Sequence, residues 1–245
     1  MSKKALIIRH SLTNENTYVT TFFAERNILF EVLPVYDSHY QSKLPDINAT
    51  NYLVIVSLGG PQGTYEEDLY PYLKWEKSFL AAQLALNTPI LGVCLGAQLV
   101  ADAVGGRGYL GKQGFEIGYV QYELTSQGKD DPVISKIFEE HENKPALIMH
   151  HKDSFDLPSH VPVLAYTCNN YIAAFRTGSA LCVQFHPEAS FQDFNRWVQR
   201  RRETKPESYG DLDVDEILRQ SQANEIHAEK SRQSFFEHWW NSLQI

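Results

Sequence analysis

The sequence lacks long hydrophobic runs and contains few cysteines. No stretch reaches the roughly 18 apolar residues of a membrane span, and the apolar run before Arg9 is too short for a signal peptide. The odd set Cys94, Cys168 and Cys182 fits neither a disulfide framework nor a CxxC metal site. We therefore expect a protein of a reducing compartment, the cytoplasm, with no membrane segment and no metal or other cofactor.

Basic residues are also scarce. The chain has 22 Lys and Arg against 30 Asp and Glu, a formal net charge of −8. Its one basic cluster, Arg200 to Arg202, is short and is expected at a solvated helix end, so nucleic acid is excluded as a partner. Residues 1–245 are expected to form a single domain, including a C-terminal helical segment at about 205–245.

Short apolar segments alternate with longer amphipathic ones in the first half of the chain. "ALIIRH", "FEVLPVYD", "YLVIVSLGG" and "PILGVC" are strand-like, whereas "TYVTTFFAERN", "DLYPYLKWEKSFLAAQLAL" and "AQLVADAVGG" are helix-like. This order predicts an α/β fold with a flavodoxin-like, doubly wound, mostly parallel sheet. Ligands of such sheets bind beyond the carboxyl ends of the strands, here at "GGPQG" and "CLGAQ".

The second half of the chain has a different pattern. From about residue 115, short runs with partial alternation predict a small antiparallel excursion rich in hairpins. A helix over 191–203 and a polar break at 205–213 follow. One last helix, near Val214 to Leu243, is expected to dock by the aromatic residues of "FFEHWW".

The stretch "GVCLG" places Cys94 between glycines where a strand gives way to a helix. A lone cysteine is most often a small buried hydrophobe, as we expect for Cys182. The Gly-x-Cys-x-Gly pattern, however, allows a sharp turn that presents the thiol at a helix N-terminus, which favours the thiolate. The amide of Leu95, with those of Gly59 and Gly60, is predicted to form an oxyanion hole.

The stretch "QFHPE" supplies a candidate base and its orienting group. His186 follows an apolar run, and Pro187 fixes the chain before Glu188. A thiolate nucleophile needs a base held in one tautomer, so Cys94, His186 and Glu188 are the predicted catalytic triad.

Three separated motifs together resemble the triad-type, class I glutamine amidotransferases. These motifs are "PILGVCLGAQLVADAVGG", "LGGPQG" and "VQFHPE", and "HKDSFDLP" at 151–158 resembles a stretch of the stand-alone group similar to the amidotransferase domain of GMP synthase. The resemblance implies hydrolysis of the glutamine amide through a γ-glutamyl thioester on Cys94, and it implies that Gln98, His151 and Asp153 bind substrate. Lys152 departs from the glycine usual in that family and could pair with Asp153, meet a substrate carboxylate or simply be solvated.

Three functions remain open from the sequence. The first is a glutamine-hydrolysing subunit that passes ammonia to a separate synthase; no ATP-using loop follows, so we expect no GMP synthesis by this chain alone. The second is a γ-glutamyl peptidase acting on glutathione-like compounds, and the third is a non-catalytic binding protein of the same fold. The substrate is expected to be a small molecule, and a homodimer is possible in each case.

Overall fold

The structure, a computed structural model, describes residues 3–12, 17–112, 114–243 and 245. Its strands are β1 (Lys4–Arg9), β2 (Phe30–Pro34), β3 (Tyr52–Ser57), β4 (Ile90–Val93), β5 (Arg107–Leu110), β6 (Glu116–Tyr119), β7 (Tyr122–Leu124), β8 (Ile148–His151), β9 (Asp153–Asp156), β10 (Val163–Thr167), β11 (Ile172–Thr177) and β12 (Ala180–Val183). Its α-helices are α1 (Tyr18–Glu25), α2 (Ser38–Gln41), α3 (Tyr72–Ala85), α4 (Leu95–Ala103), α5 (Ser126–Asp130), α6 (Ile134–Glu140), α7 (Phe191–Thr204), α8 (Val214–Ala223) and α9 (Glu225–Asn241).

The largest sheet has the strand order β2-β1-β3-β4-β12-β11-β10-β7. Strands β2, β1, β3, β4 and β12 run parallel, and β11, β10 and β7 continue the sheet antiparallel. Two smaller antiparallel pairs, β5 with β9 and β6 with β8, lie beside it. The predicted mostly parallel α/β sheet with a small antiparallel excursion is confirmed.

Apolar side chains cover both faces of this sheet. Successive residues of a strand point to opposite faces, so Ile7 packs in a core with α1, α6 and α9, whereas Leu6 packs in a second core with α3 and α4. All four residues of β4 are buried. Burial on both faces explains why the central strands are nearly continuous apolar runs rather than alternating ones.

The C-terminal segment corrects one expectation. The single helix predicted near Val214 to Leu243 is two helices, because α8 ends at Asn224, whose side-chain amide donates to the carbonyl of Gln220 at 3.1 Å. Asparagine competes in this way with continued helical hydrogen bonding. The predicted aromatic docking is confirmed: Phe235, Phe236 and Trp239 are fully buried.

Two helices inside the region predicted to be hairpins were not foreseen. Helices α5 and α6 are only five and seven residues long, and no long apolar periodicity marks them. Within the described residues, no helix combines the length and apolar character needed to cross a bilayer.

Candidate active site

Cys94 occupies the sharp turn between β4 and α4. Its φ of 50° and ψ of −106° lie where non-glycine residues are rarely found, so the turn is strained. The flanking glycines make the turn possible: a Cβ at Gly96 would lie 2.0 Å from the carbonyl oxygen of Ser57, and one at Gly92 would lie 3.0 Å from the amide nitrogen of Ala97. The Gly-x-Cys-x-Gly spacing is thus required by close backbone packing.

The neighbouring strand β12 brings His186 to the same edge of the sheet. Val183 pairs with Val93, and the carbonyl of Val183 accepts a hydrogen bond of 2.8 Å from the amide of Cys94. Three residues later, the amide of His186 donates to the carbonyl of Ile148 at 2.8 Å. Adjacent parallel strands therefore align the two reactive side chains.

His186 lies between Cys94 and Glu188. Its Nδ1 is 2.8 Å from Oε1 of Glu188, and Cys94 lies close enough to the ring to affect its pKa. With Nδ1 used by the carboxylate, Nε2 is the nitrogen left for the sulfur. Both His186 and Glu188 are buried, and the ring of Trp197 lies 4.6 Å from that of His186.

Charge raises the pKa of the histidine in this arrangement. Burial opposes protonation, but the charge of the hydrogen-bonded Glu188 and the neighbouring Cys94 outweigh it and raise the pKa of His186 to about 10. At neutral pH the ring is therefore an imidazolium, which can stabilise a neighbouring thiolate.

The predicted oxyanion residues lie beside Cys94 and His186. A Cβ at Gly59 would lie 3.4 Å from Cβ of Cys94 and 2.7 Å from Cε1 of His186, and one at Gly60 would lie 2.8 Å from Cδ2 of Leu95. Leu95 is the first residue of α4, where amides lack intrahelical acceptors. The backbone can approach a substrate here, and the oxyanion role of these three residues stays a prediction.

A buried polar group that sequence analysis missed lies beneath this loop. Nε2 of His10 is 2.8 Å from Oε2 of Glu76, and the hydroxyl of Ser57 donates to Oε1 of Glu76 at 2.7 Å. All three side chains are fully buried. Because a Cβ at Gly60 would lie 2.6 Å from Cβ of His10, this group packs directly against the loop. No local motif connects these residues.

The predicted substrate-binding residues form a second connected group. The side-chain amide of Gln98 donates to the carbonyl of Asp153 at 3.1 Å. Nδ1 of His151 lies 2.9 Å from the same carbonyl, and its Nε2 lies 2.9 Å from Oε2 of Glu116. Both ring nitrogens of His151 are thus used within the protein, which suits this buried side chain to positioning Asp153.

The carboxyl group of Asp153 is hydrogen-bonded within the protein and partly shielded from water. The hydroxyl of Tyr65 donates to its Oδ2 at 3.0 Å, and burial raises the pKa of the Asp153 carboxyl. Lys152 makes no ion pair with Asp153 or with any other carboxylate among the described residues. The substrate-binding roles of Gln98, His151 and Asp153 stay predictions.

A cavity of about 490 Å³ opens beside the sulfur. It is lined by Ser11, Leu12, Gly59, Gly60, Pro61, Cys94, His150, His186, Trp197, Arg200, Arg201, Thr204 and Lys205. The Arg200 to Arg202 cluster does lie at the end of α7, as predicted, but two of its members also face this cavity. Sequence analysis did not foresee that, because helix α7 approaches Cys94 only in the folded chain.

Comparisons with known proteins find a matching family. Residues 16–201 match the class I glutamine amidotransferase family. GMP synthase [glutamine-hydrolyzing] of Helicobacter pylori is 32% identical over 167 residues, 67% of this chain and 28% of that protein. The corresponding enzyme of Borrelia garinii is 26% identical over 196 residues, 79% of this chain and 34% of that protein. The chain therefore spans about a third or less of these curated relatives.

Solved structures match over nearly the whole chain. A glutamine amidotransferase from Thermotoga maritima superposes with a TM-score of 0.79 and 27% identity, covering 99% of this chain and all of that one. A second, from Methylobacillus flagellatus, has a TM-score of 0.78 at 21% identity, over 100% of this chain and 96% of that one, and so supports the fold. The chain belongs to the class I glutamine amidotransferase family.

Proposed function

We propose that this protein hydrolyses the γ-glutamyl amide of glutamine through a triad of Cys94, His186 and Glu188. The observation that carries the proposal is His186, hydrogen-bonded to the carboxylate of Glu188 and lining the same cavity as Cys94. A nucleophile, a base and a group that orients the base are the parts that acyl transfer through a thioester requires.

The first half-reaction forms the thioester. The sulfur of Cys94 attacks the amide carbon, and the oxygen, now negative, accepts hydrogen bonds from backbone amides at Gly59, Gly60 and Leu95. The carbon–nitrogen bond then breaks while the imidazolium of His186 gives its proton to the departing nitrogen, which leaves as ammonia. Glu188 keeps the ring in the orientation needed for that transfer.

The second half-reaction restores the enzyme. Neutral His186 takes a proton from water, the oxygen attacks the thioester carbon, and the carbon–sulfur bond breaks. Glutamate leaves, Cys94 is again a thiolate and His186 again carries the proton. We further propose that ammonia passes to a separately encoded synthase, because the curated relatives that share this region are GMP synthases in which the matched region is about a third or less of the whole protein.

A second candidate is hydrolysis of γ-glutamyl amides larger than glutamine. The observation that favours it is the cavity of about 490 Å³ beside His186, which far exceeds the space that ammonia needs. The same triad and thioester would serve, with an amine as the leaving group.

The test is release of glutamate and ammonia from glutamine by the purified protein. We expect Cys94→Ala to lower the rate by roughly 10³-fold or more, since no other group supplies the sulfur. Cys182→Ser is the matched control, because Cys182 is buried in β12 and burial raises the pKa of its thiol. Equal turnover by the Cys94→Ala protein would reject the mechanism.

A further inference from the structure

The cavity beside Cys94 has an electrostatic character opposite to that of the whole protein. Its lining contains the cations Arg200, Arg201 and Lys205, and no Asp or Glu among the described residues. The chain as a whole has 30 acidic and 22 basic residues. A concentration of positive charge at one concave site of an acidic protein favours an anionic ligand there.

Arg201 is the best placed of these cations. Its guanidinium carbon lies 4.9 Å from the centre of the Phe115 ring, and its buried Nε has no hydrogen-bond partner among the described residues. No carboxylate lies within ion-pair distance of Arg201 or Lys205 in the part of the chain that the structure describes. The neighbouring Arg202, by contrast, pairs with Asp215 at 2.8 Å.

The position of the cavity identifies which part of a substrate it would hold. Its lining includes His186 but, among the described residues, none of Gln98, His151 and Asp153. His186 gives its proton to the departing nitrogen in the proposed reaction, so that nitrogen must lie at His186. Anything attached to the nitrogen then extends into the cavity, past the apolar surfaces of Trp197 and Pro61.

We propose that this cavity binds the leaving amine of a γ-glutamyl amide whose amine carries a carboxylate, with Arg201 and Lys205 binding that carboxylate. The inference rests on the proposed function in its second form, hydrolysis of γ-glutamyl amides larger than glutamine, and defines the substrates of that form as γ-glutamyl amino acids or short γ-glutamyl peptides. Guanidinium and ammonium groups both form charge-assisted hydrogen bonds with carboxylates, and arginine does so with two parallel bonds.

The test compares two substrates of similar size that differ in charge. γ-Glutamylglycine releases an amine with a carboxylate, and γ-glutamylethylamide releases a neutral amine. We expect the wild-type protein to have a higher kcat/KM for γ-glutamylglycine, and Arg201→Gln and Lys205→Gln each to lower that value by about tenfold, the effect of losing one charge-assisted hydrogen bond. The kcat/KM for γ-glutamylethylamide should change less than about twofold in the same variants, because its leaving amine makes no such bond.

Arg202→Gln is the matched control, because it removes the same charge one residue along α7, outside the cavity lining. Lys205 is exposed, so its variant remains informative if Arg201→Gln proves unstable. Equal kcat/KM for the two substrates in the wild-type protein would overturn the inference, as would an unchanged ratio in both cavity variants.

A binding measurement tests this inference independently of the proposed function. Titration of the Cys94→Ala protein with the two compounds requires no chemistry, and we expect γ-glutamylglycine to bind more tightly than γ-glutamylethylamide, with the difference reduced by Arg201→Gln. Absence of that difference would reject the anionic subsite even if glutamine is hydrolysed. Conversely, absence of Cys94-dependent turnover on every substrate would reject the proposed hydrolase alone.

Discussion

At the scale of single residues, the two buried cysteines show how the environment of the proposed nucleophile differs from that of a packing residue. Cys182 lies within β12, fully buried, and burial raises the pKa of its thiol. Cys94 lies one residue past β4, in a strained conformation and beside an imidazolium. The sequence distinguishes the two cysteines because the glycines that allow the turn lie within the five consecutive residues around Cys94.

Replacing Glu188 by glutamine tests the charge on His186. The wild-type imidazolium persists until the pH rises through about 10. Without the carboxylate, burial still lowers the pKa of His186, so the ring should lose its proton at a lower pH. We expect the alkaline limb of the pH profile of kcat/KM for glutamine to move to lower pH, with a fall of roughly 10²-fold in rate at the optimum.

The same substitution should weaken folding in a defined pH window. A folded-state pKa of about 10, above the ordinary 6.5, stabilises the fold fully below pH 6.5, and this contribution disappears as the pH rises through 10. Glu139→Gln, at an exposed carboxylate on α6, is the control. An unchanged alkaline limb in Glu188→Gln would show that this carboxylate does not set the charge of His186.

At the scale of elements, sequence analysis succeeded where the signal is local or strongly periodic. The parallel strands are continuous apolar runs, and α7 begins at a capping box formed by Ser190 and Asp193. Helices α5 and α6 were missed because they are short. Arg201 and the His10–Glu76 pair were missed because residues distant in the sequence define their environment.

Alanine substitutions at two glycines separate the packing of the turn from the geometry of the site. A Cβ at Gly96 would lie 2.0 Å from a backbone oxygen, which cannot move without shifting β3, so we expect Gly96→Ala to lower the free energy of unfolding by about 2–3 kcal/mol. A Cβ at Gly59 would instead meet the ring of His186 at 2.7 Å. Gly59→Ala should therefore lose activity with a smaller loss of stability.

Denaturant unfolding and glutamine turnover, measured on the same preparations, distinguish these outcomes. If Gly59→Ala were as unstable as Gly96→Ala, the contact with His186 would be part of the packing that supports the fold. If Gly59→Ala kept wild-type turnover, the close approach of this loop to His186 would have no catalytic importance.

At the scale of the whole molecule, α9 connects the C-terminal segment to the proposed catalytic residues. Phe236 packs against Tyr18 and Phe22 of α1, with ring centres 5.3 and 5.4 Å apart. The amide of Tyr18 donates to the carbonyl of Glu188 at 3.1 Å, so α1 and α9 together support the end of the triad. The family match covers residues 16–201, and α9 follows them in the chain. The support that α9 gives to the triad therefore comes from outside the matched region.

Arg232 makes the most direct link between α9 and the site. Its buried guanidinium donates to the carbonyl of Ala189 at 2.7 Å, next to Glu188, and pairs with Glu225 at 2.9 Å. Arg232→Met removes both interactions; the carbonyl of Ala189 loses this donor, whereas Glu225 is partly exposed and keeps the amide of Phe191 as a donor. We expect a loss of about 2 kcal/mol in the free energy of unfolding, because a buried acceptor loses a charge-assisted hydrogen bond.

The Arg232→Met protein should also lose activity while it remains folded. A shift of the Ala189 carbonyl moves Glu188, so we expect kcat for glutamine to fall about tenfold under conditions where the variant is still native. Arg219→Met, at an exposed arginine paired with Glu216 on α8, should change neither quantity measurably. Full kcat in a folded but destabilised Arg232→Met protein would limit α9 to a role in stability. A loss of both kcat and free energy of unfolding would make α9 part of the support that orients the triad.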